Sequence, residues 1–129
     1  MDTKELQDVL KNEKEINFTT LSDVTFLEYL NERVHDSLAK IIEQTTLQRN
    51  YAYQIFNGTR LPGRDKLLQI GLAMQLSLDE INHLLSLSNN GNLYPKVKRD
   101  AIVIYAIHHH LSVIDTNLLL QENKQEILR

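Results

Sequence analysis

The stretch LQRNYAYQIFNGTRLP at residues 47–62 predicts a short amphipathic helix and the ordered turn that ends it. Its apolar residues recur at a helical spacing and share one face, which comprises Leu47, Ala52, Ile55 and Phe56. The opposite face carries Gln48, Arg49, Asn50, Tyr53 and Gln54. Asn57 and Gly58 are predicted to stop the helix, because both residue types tolerate the left-handed conformation of a C-cap.

A second short helix is predicted immediately upstream, in SLAKIIEQTT at residues 37–46. Ser37 suits the N-cap position, where its side-chain oxygen accepts a hydrogen bond from a free backbone N–H. Leu38, Ile41 and Ile42 form one apolar stripe, and residues 45–46 supply the turn. The sequence therefore predicts two short helices joined by a tight turn.

This order of elements, closed by an N-G-x-R-x-P exit, resembles the helix-turn-helix of Cro/repressor (XRE) class transcriptional regulators. The resemblance runs without a gap through residues 37–63. It extends to a first helix at residues 25–35 and to GRDKLLQIGLAMQLSLDEINHLL as the fourth and fifth helices, about half the chain. The RLPGRD and LYPK elements resemble a subgroup of such regulators in low-GC Gram-positive bacteria. The sequence departs from the class at three positions. It has Leu38 where the class often has Gln, Thr46 where the class usually has Gly, and Gly63 where the class often has Ser.

The resemblance implies that helix 48–56 lies in the major groove of double-stranded DNA and contacts base edges through Arg49, Asn50 and Gln54. These residue types suit the task, since Arg bonds bidentately to guanine and Asn or Gln to adenine. Contacts to the DNA backbone set the register without recognising sequence. The resemblance assigns them to Ser37, Lys40, Gln48, Tyr51, Arg60 and Arg64.

Some of these residues have a second interpretation. Tyr53 either stacks on nucleic acid or, as we favour, packs against the turn and exit loop. Arg64 and Arg99 each precede an Asp at a predicted helix start, where the carboxylate complements the helix dipole. Arg64 either contacts phosphate or pairs locally, and Arg99 is expected to be structural.

An internal repeat at an offset of 35 residues follows. RDKLLQIGLAMQLSLDEINHLL from Arg64 and RDAIVIYAIHHHLSVIDTNLLL from Arg99 share seven identities in 22 positions. Each copy predicts a long helix, a Leu-Ser break and a short helix. Ser77 opens a capping box, which Ser112 imitates. One such unit cannot bury its apolar face alone, so the two are expected to stack.

Gly and Pro are scarce and no stretch alternates apolar and polar residues, which predicts an all-α fold of seven or eight helices. We expect an N-terminal helical arm at residues 1–22, which includes a short helix at 3–12. A five-helix, repressor-like DNA-binding domain at 23–88 follows. A two-helix extension at 89–129 completes the chain. Two-fold proteins recognise paired half-sites, so a homodimer is expected, with the apolar surface of residues 101–120 as its candidate interface.

The net charge of −3 is unevenly distributed. Residues 1–32 hold three Lys and eight acids, a net of −5, whereas residues 36–66 hold five cations and three acids, a net of +2. Charge is thus positive where DNA would dock. Cysteine is absent, which excludes disulfides and thiolate metal sites. Without a membrane-length apolar run or a secretory signal, the expected location is the cytoplasm.

Catalysis and metal binding find little support in the sequence. There is no Gly-rich phosphate loop and no Cys nucleophile, so we expect neither an enzyme nor a cofactor. The run at residues 108–110 is three consecutive His. Consecutive helical residues diverge by about 100°, so the run is not a metal site. It fits a helix C-terminus, where the dipole favours His⁺.

The alternative function is a helical protein–protein interaction module, adaptor-like or antitoxin-like, that keeps the fold without strong DNA binding. Leu38, Thr46 and the acidic total charge favour it. The sequence does not identify an operator, an effector, or activation as opposed to repression.

Overall fold

The computed structural model describes residues 25–129, which form seven α-helices and no strands. The first helix, α1, occupies residues 25–32 of this part. The others are α2 (Leu38–Glu43), α3 (Arg49–Phe56), α4 (Arg64–Ala73), α5 (Leu78–Leu87), α6 (Lys98–His108) and α7 (Val113–Glu122). The all-α prediction is confirmed for this range. The predicted arm at 1–22 and its helix at 3–12 lie outside the described residues.

One continuous hydrophobic core joins all seven helices. Leu30 of α1, Ile55 of α3 and Leu120 of α7 are each fully buried within it. The apolar stripes predicted for α2 and α3 face this core, and Leu47 between them is half-buried. The opposite side of each of these two short helices faces solvent.

The repeat found in the sequence is also a structural repeat, in which α4–α5 matches α6–α7. We define unit 1 as residues 64–94 and unit 2 as residues 99–129. In both units each helix ends on a residue with positive φ, and these residues recur at an offset of 35: Gln75 and His110, Asn89 and Lys124. Ser77 and Ser112 then cap the second helix of their units, accepting backbone N–H groups at 3.1 and 3.0 Å.

The structural repeat is longer than the 22 aligned positions. The side-chain oxygen of Asn82 accepts the backbone N–H of Leu93 at 2.9 Å. Asn117 accepts that of Leu128 at 2.8 Å, 35 residues further on. Leu93 and Leu128 are both buried. Each unit therefore ends in an extended segment that its own Asn holds against the second helix.

Two reciprocal ion pairs join the units. The guanidinium of Arg64 donates to both carboxylate oxygens of Asp100, at 3.0 and 2.8 Å. That of Arg99 donates to both oxygens of Asp65, at the same two distances. Because each unit gives its Arg to the other's Asp, the contact is isologous, and the units are related by an internal pseudo-two-fold axis.

The same arginines also close their own units. Arg64 donates through Nε to the carbonyl of Gly91 at 2.9 Å and through Nη2 to that of Asn92 at 2.8 Å. Arg99 does likewise to Glu126 and Ile127, at 2.9 and 3.1 Å. Each guanidinium thus fixes the extended segment of its unit and the partner unit together. Bidentate Arg–carboxylate geometry makes this contact specific as well as strong.

These contacts lower the pKa of both carboxyls. Burial, the largest single influence on Asp100, opposes ionisation. The hydrogen bonds from Arg64 and Tyr94 and the nearby positive charges outweigh it and hold its pKa below the ordinary 3.8. The pKa of Asp65 is lowered in the same way, with burial outweighed by Arg99. A carboxylate with a lowered folded-state pKa stabilises the fold above its unfolded pKa and loses that effect as pH falls through the folded value.

We expect Asp100→Asn to lower the free energy of unfolding at pH 7 by about 3–5 kcal/mol, since it leaves the charge of Arg64 without its partner in a nearly buried site. The Asp100 side chain is only 8% exposed. Denaturant unfolding at pH 7 and pH 3 provides the measurement. The difference between variant and native protein should shrink at pH 3, because Asp100 of the unfolded chain takes up a proton below about pH 4 while the pKa of the folded carboxyl is lower.

The matched control is Asp79→Asn, which removes an exposed carboxylate from the first turn of α5. Its cost should stay at about 0.3–1 kcal/mol, the value of a helix-dipole contact. Equal losses for the two variants at pH 7 would show that the ion pair does not hold the units together.

Candidate nucleic-acid interface

The start of α2 is capped as predicted. The Ser37 hydroxyl oxygen accepts the backbone N–H of Lys40 at 3.2 Å, and the Ser37 N–H donates to the Asp36 carboxylate at 2.8 Å. Because the hydroxyl accepts here, its own O–H remains able to donate. Lys40 is exposed, and its Nζ lies 3.9 Å from Asp36, a weak surface pair. Both residues predicted to contact phosphate thus face solvent at one helix end.

Gln69 of α4, which is fully buried, holds the turn between α2 and α3 from the core side. The Gln69 side-chain oxygen accepts the backbone N–H and the hydroxyl of Thr46, at 2.8 and 3.0 Å. Thr45 accepts the N–H of Leu47 at 3.2 Å. Thr46, which departs from the glycine usual in the resembled class, therefore supplies a hydroxyl that glycine lacks. Gln69 was not predicted from the sequence, where its signal is a polar residue within the apolar run LLQIGLA.

Gln48 is the N-cap of α3, so the helix begins one residue later than predicted. Its side-chain oxygen accepts the backbone N–H of Tyr51 at 2.7 Å. The amide NH₂ group of Gln48 remains able to donate, and the residue is exposed. Its position at the edge of the first turn is compatible with the predicted backbone contact.

The three residues predicted to contact bases lie along one side of α3. Arg49 and Asn50 are exposed in the first turn. Neither makes a hydrogen bond or ion pair within residues 25–129, although the Arg49 guanidinium lies 5.7 Å from the ring centroid of Tyr53. Gln54 is half-buried one turn later, where its oxygen accepts Nε of Arg60 at 3.0 Å. Residues 50 and 54 are neighbours on the helix surface.

The end of α3 is fixed by Gly58, as the sequence predicted. Gly58 has a φ of 86°, and a Cβ added there would lie 2.9 Å from Cδ2 of Leu27. Asn31 of α1 donates its side-chain amide to the carbonyls of Leu27 and Phe56, at 2.9 and 3.1 Å. Helix α1 therefore holds the C-terminal end of α3.

Cations gather around the tyrosines of α3. The Arg60 guanidinium and the Lys66 ammonium each lie 5.6 Å from the ring centroid of Tyr51. Tyr51 and Tyr53 are half-buried against the core, in agreement with the packing role favoured for Tyr53. Arg49, Arg60 and Lys66 have no carboxylate partner in the described part of the chain. The exposed edge of α3 is therefore electropositive.

Arg64 does not belong to this surface in the structure. Arg64 does form an ion pair, but its partners are not local: Nε, Nη1 and Nη2 all donate within the protein, to the carbonyls of Gly91 and Asn92 and to Asp100, 27 to 36 residues away. A phosphate contact would require breaking a bidentate ion pair, so the predicted role of Arg64 at the DNA backbone is not retained. Arg99, expected to be structural, has the equivalent role in unit 2.

The histidine run ends α6. His110 adopts the left-handed C-cap conformation with φ 52°, and His109 stacks on Tyr105 with ring centroids 4.1 Å apart. Within residues 25–129, no group of three His, Cys, Asp or Glu side chains is arranged to hold a metal ion. No helix in the same range has the length and apolar character needed to cross a membrane.

No protein-family model matches the chain, and no curated protein or solved structure is significantly similar to it. Its function is therefore inferred from the geometry and chemistry of the site.

Proposed function

We propose that the protein is a sequence-specific transcriptional regulator that binds double-stranded DNA through a helix-turn-helix formed by α2 and α3. Helices α1–α5 would be its repressor-like core. The observation that carries the proposal is the first turn of α3. Arg49 and Asn50 stand exposed there side by side, without a hydrogen bond or ion pair among the described residues.

The dimensions of α3 suit the major groove, which is about 12 Å wide and admits one α-helix. Eight residues make a helix roughly 12 Å long, enough to reach a few successive base pairs. Arg49 would bond to guanine, and Asn50 and Gln54 to adenine. Each good bidentate contact contributes about 1–3 kcal/mol of discrimination against the wrong base.

The flanks of α3 would contact the DNA backbone. Ser37 and Lys40 lie at the start of α2, Gln48 and Tyr51 at the start of α3, and Arg60 just beyond its end. With Arg64 and Asp65 paired to unit 2, residues 36–66 retain four cations and two carboxylates, a net of +2: Lys40, Arg49, Arg60 and Lys66 against Asp36 and Glu43. This local charge attracts DNA although the whole chain is acidic.

We further propose that the protein acts as a homodimer through unit 2. On the candidate interface of residues 101–120, Tyr105, Ile114 and Leu118 are 52%, 67% and 50% exposed. Dimerisation would place two copies of α3 on paired half-sites, which one domain touching a few base pairs requires for useful specificity.

The internal symmetry supports this interface. The unit 1 positions equivalent to Ile114 and Leu118 are Asp79 and His83. His83 contacts Tyr29 of α1, with ring centroids 4.5 Å apart, yet both His83 and Asp79 remain exposed. The equivalent face of unit 1 is therefore polar and solvated, whereas unit 2 exposes two large apolar side chains there. No described helix of the same chain covers Ile114, so a second copy is the proposed occupant.

The helical interaction module remains the alternative, and the same exposed side chains favour it. A heterologous protein that docks on Tyr105, Ile114 and Leu118 would also cover them. Under that function the outer face of α3 would be dispensable. Substitutions on α3 therefore separate the two functions.

We expect the triple variant Arg49→Ala, Asn50→Ala, Gln54→Ala to lose sequence preference while keeping the fold, because all three side chains point away from the core. The measurement is selection of fragments of the source genome on purified native and variant protein, followed by sequencing. The native protein should enrich a paired motif at moderate salt, where phosphate contacts alone are weakened, and the variant should not.

The control variant for this selection is Lys98→Ala, Gln121→Ala, which removes an exposed cation and an exposed amide from unit 2. It should enrich the same motif as native protein. If native protein enriches no motif at moderate salt, or if the α3 variant enriches the native one, α3 does not recognise DNA.

We expect Ile114→Ser, Leu118→Ser to yield a monomer, because the substitutions remove the apolar contacts that two copies would share. Sedimentation equilibrium at micromolar concentrations measures this directly. Val97→Ser, which replaces another exposed apolar residue outside the interface, should remain dimeric. A native protein that sediments as a strict monomer would contradict the dimer but not DNA recognition by α3.

A further inference from the structure

A groove of about 620 Å³ separates the start of α3 from the final segment of unit 2. One wall is formed by residues 46–48 with Tyr51. Segment 127–129 of unit 2 lines it as well, together with Lys66 and Asn117. The groove thus begins at the first turn of the helix proposed to enter DNA, and unit 2 provides its far side.

The far wall is held firmly in place. Asn117 accepts the backbone N–H of Leu128 at 2.8 Å, and Leu128 is only 1% exposed. Arg99 donates to the carbonyls of residues 126 and 127. A backbone hydrogen bond from Arg129 reaches Asp65 of unit 1. The wall is therefore positioned by the same ion pair that joins the two units.

The charged side chains that line the groove are all cationic. Lys66 and Arg129 line it, and no carboxylate side chain does so among the described residues. The Lys66 ammonium makes only a 3.5 Å contact with the Arg129 carbonyl and a contact with the ring of Tyr51. By contrast, Arg64 at the start of α4 and Arg99 in the first turn of α6 each form an ion pair with a carboxylate. The groove is therefore complementary to an anion.

We infer that this groove holds one sugar–phosphate strand of the DNA duplex, so that unit 2 forms part of the DNA-binding surface. The inference rests on the proposed function. A helix in the major groove has a backbone strand along each flank, and this groove adjoins the first turn of α3, where Gln48 and Tyr51 line it. Lys66 and Arg129 would pair with phosphates, and the apolar side chains of Leu47 and Ile127 would meet the sugars.

Contacts of this kind raise affinity and fix register but carry no sequence information. Removing one phosphate contact should lower the slope of log K against log salt by about 0.9. A defect in the groove should therefore change salt dependence and leave the recognised motif unchanged, which distinguishes it from a defect on the outer face of α3.

The test compares Lys66→Ala, Arg129→Ala with native protein on one fixed duplex over a range of salt concentrations. The salt slope should fall by about 1.8, the sum of two contacts. Fragment selection should return the same motif for both proteins. The matched control, Lys96→Ala, Lys98→Ala, removes two exposed cations that do not line the groove and should keep the native slope.

Phosphate-ethylation interference on the same duplex gives an independent result. Ethylation of the phosphates beside the position of α3 should prevent native protein from binding the duplex. The same ethylation should not affect binding by the groove variant. Circular dichroism melting curves that match the native curve would show that the variant is folded.

An unchanged slope and interference pattern would overturn the inference while leaving the proposed function intact. Saturable binding of dodecanoate, seen as amide shifts at residues 46–51 and 127–129 with an unchanged salt slope, would assign the groove to a small amphipathic anion instead. If native protein fails to bind any duplex even at low salt, the proposed function itself is wrong, and the inference falls with it.

Discussion

The reciprocal ion pairs Arg64–Asp100 and Arg99–Asp65 are the interaction on which the rest of the structure depends. Each arginine makes a bidentate bond across the pseudo-two-fold axis and also binds two carbonyls of its own unit. Asp100 is buried and the other three side chains are partly buried, so removing either partner of a pair leaves a charge that water solvates only in part. The pairs therefore couple the folding of each unit to the docking of the other. Together these contacts engage all three guanidinium nitrogens of Arg64, at the start of α4.

Helix α4 connects the ion pairs to the proposed DNA-binding surface, because it carries Arg64 and Asp65 at its start. Gln69 lies in the second turn of that helix, and its side-chain oxygen accepts hydrogen bonds from the backbone N–H and the hydroxyl of Thr46. These two bonds fix the position of the turn that leads into α3. The other ion pair fixes segment 127–129, which faces the start of α3 across the groove. The helix proposed to contact bases and the wall proposed to contact phosphate are thus both positioned from one interface between the units. The C-terminal extension would therefore position the proposed DNA-binding surface in addition to forming the proposed dimer interface.

The features that the sequence predicted are those encoded within a few residues. The Ser37 cap, the stop at Gly58 and the repeat follow from local spacing, and the structure confirms them. The roles of Gln69 and Arg64 were not predictable, because their partners lie 23 and 36 residues away. The groove formed by segment 127–129 was missed for the same reason. Extending the 35-residue repeat to Leu93 and Leu128 would have revealed that both units end in equivalent segments, each held by an Asn of its own second helix.

Amide chemical-shift mapping of the labelled protein with a random-sequence duplex at low salt tests the central claim, that the outer face of α3 binds DNA. Low salt makes non-specific binding measurable, and no operator is needed. We predict that shifts concentrate at residues 37–40, 46–60 and 127–129, with α5 unaffected. Shifts confined to α6 and α7, or no binding at all, would contradict the claim and would favour a protein-interaction module.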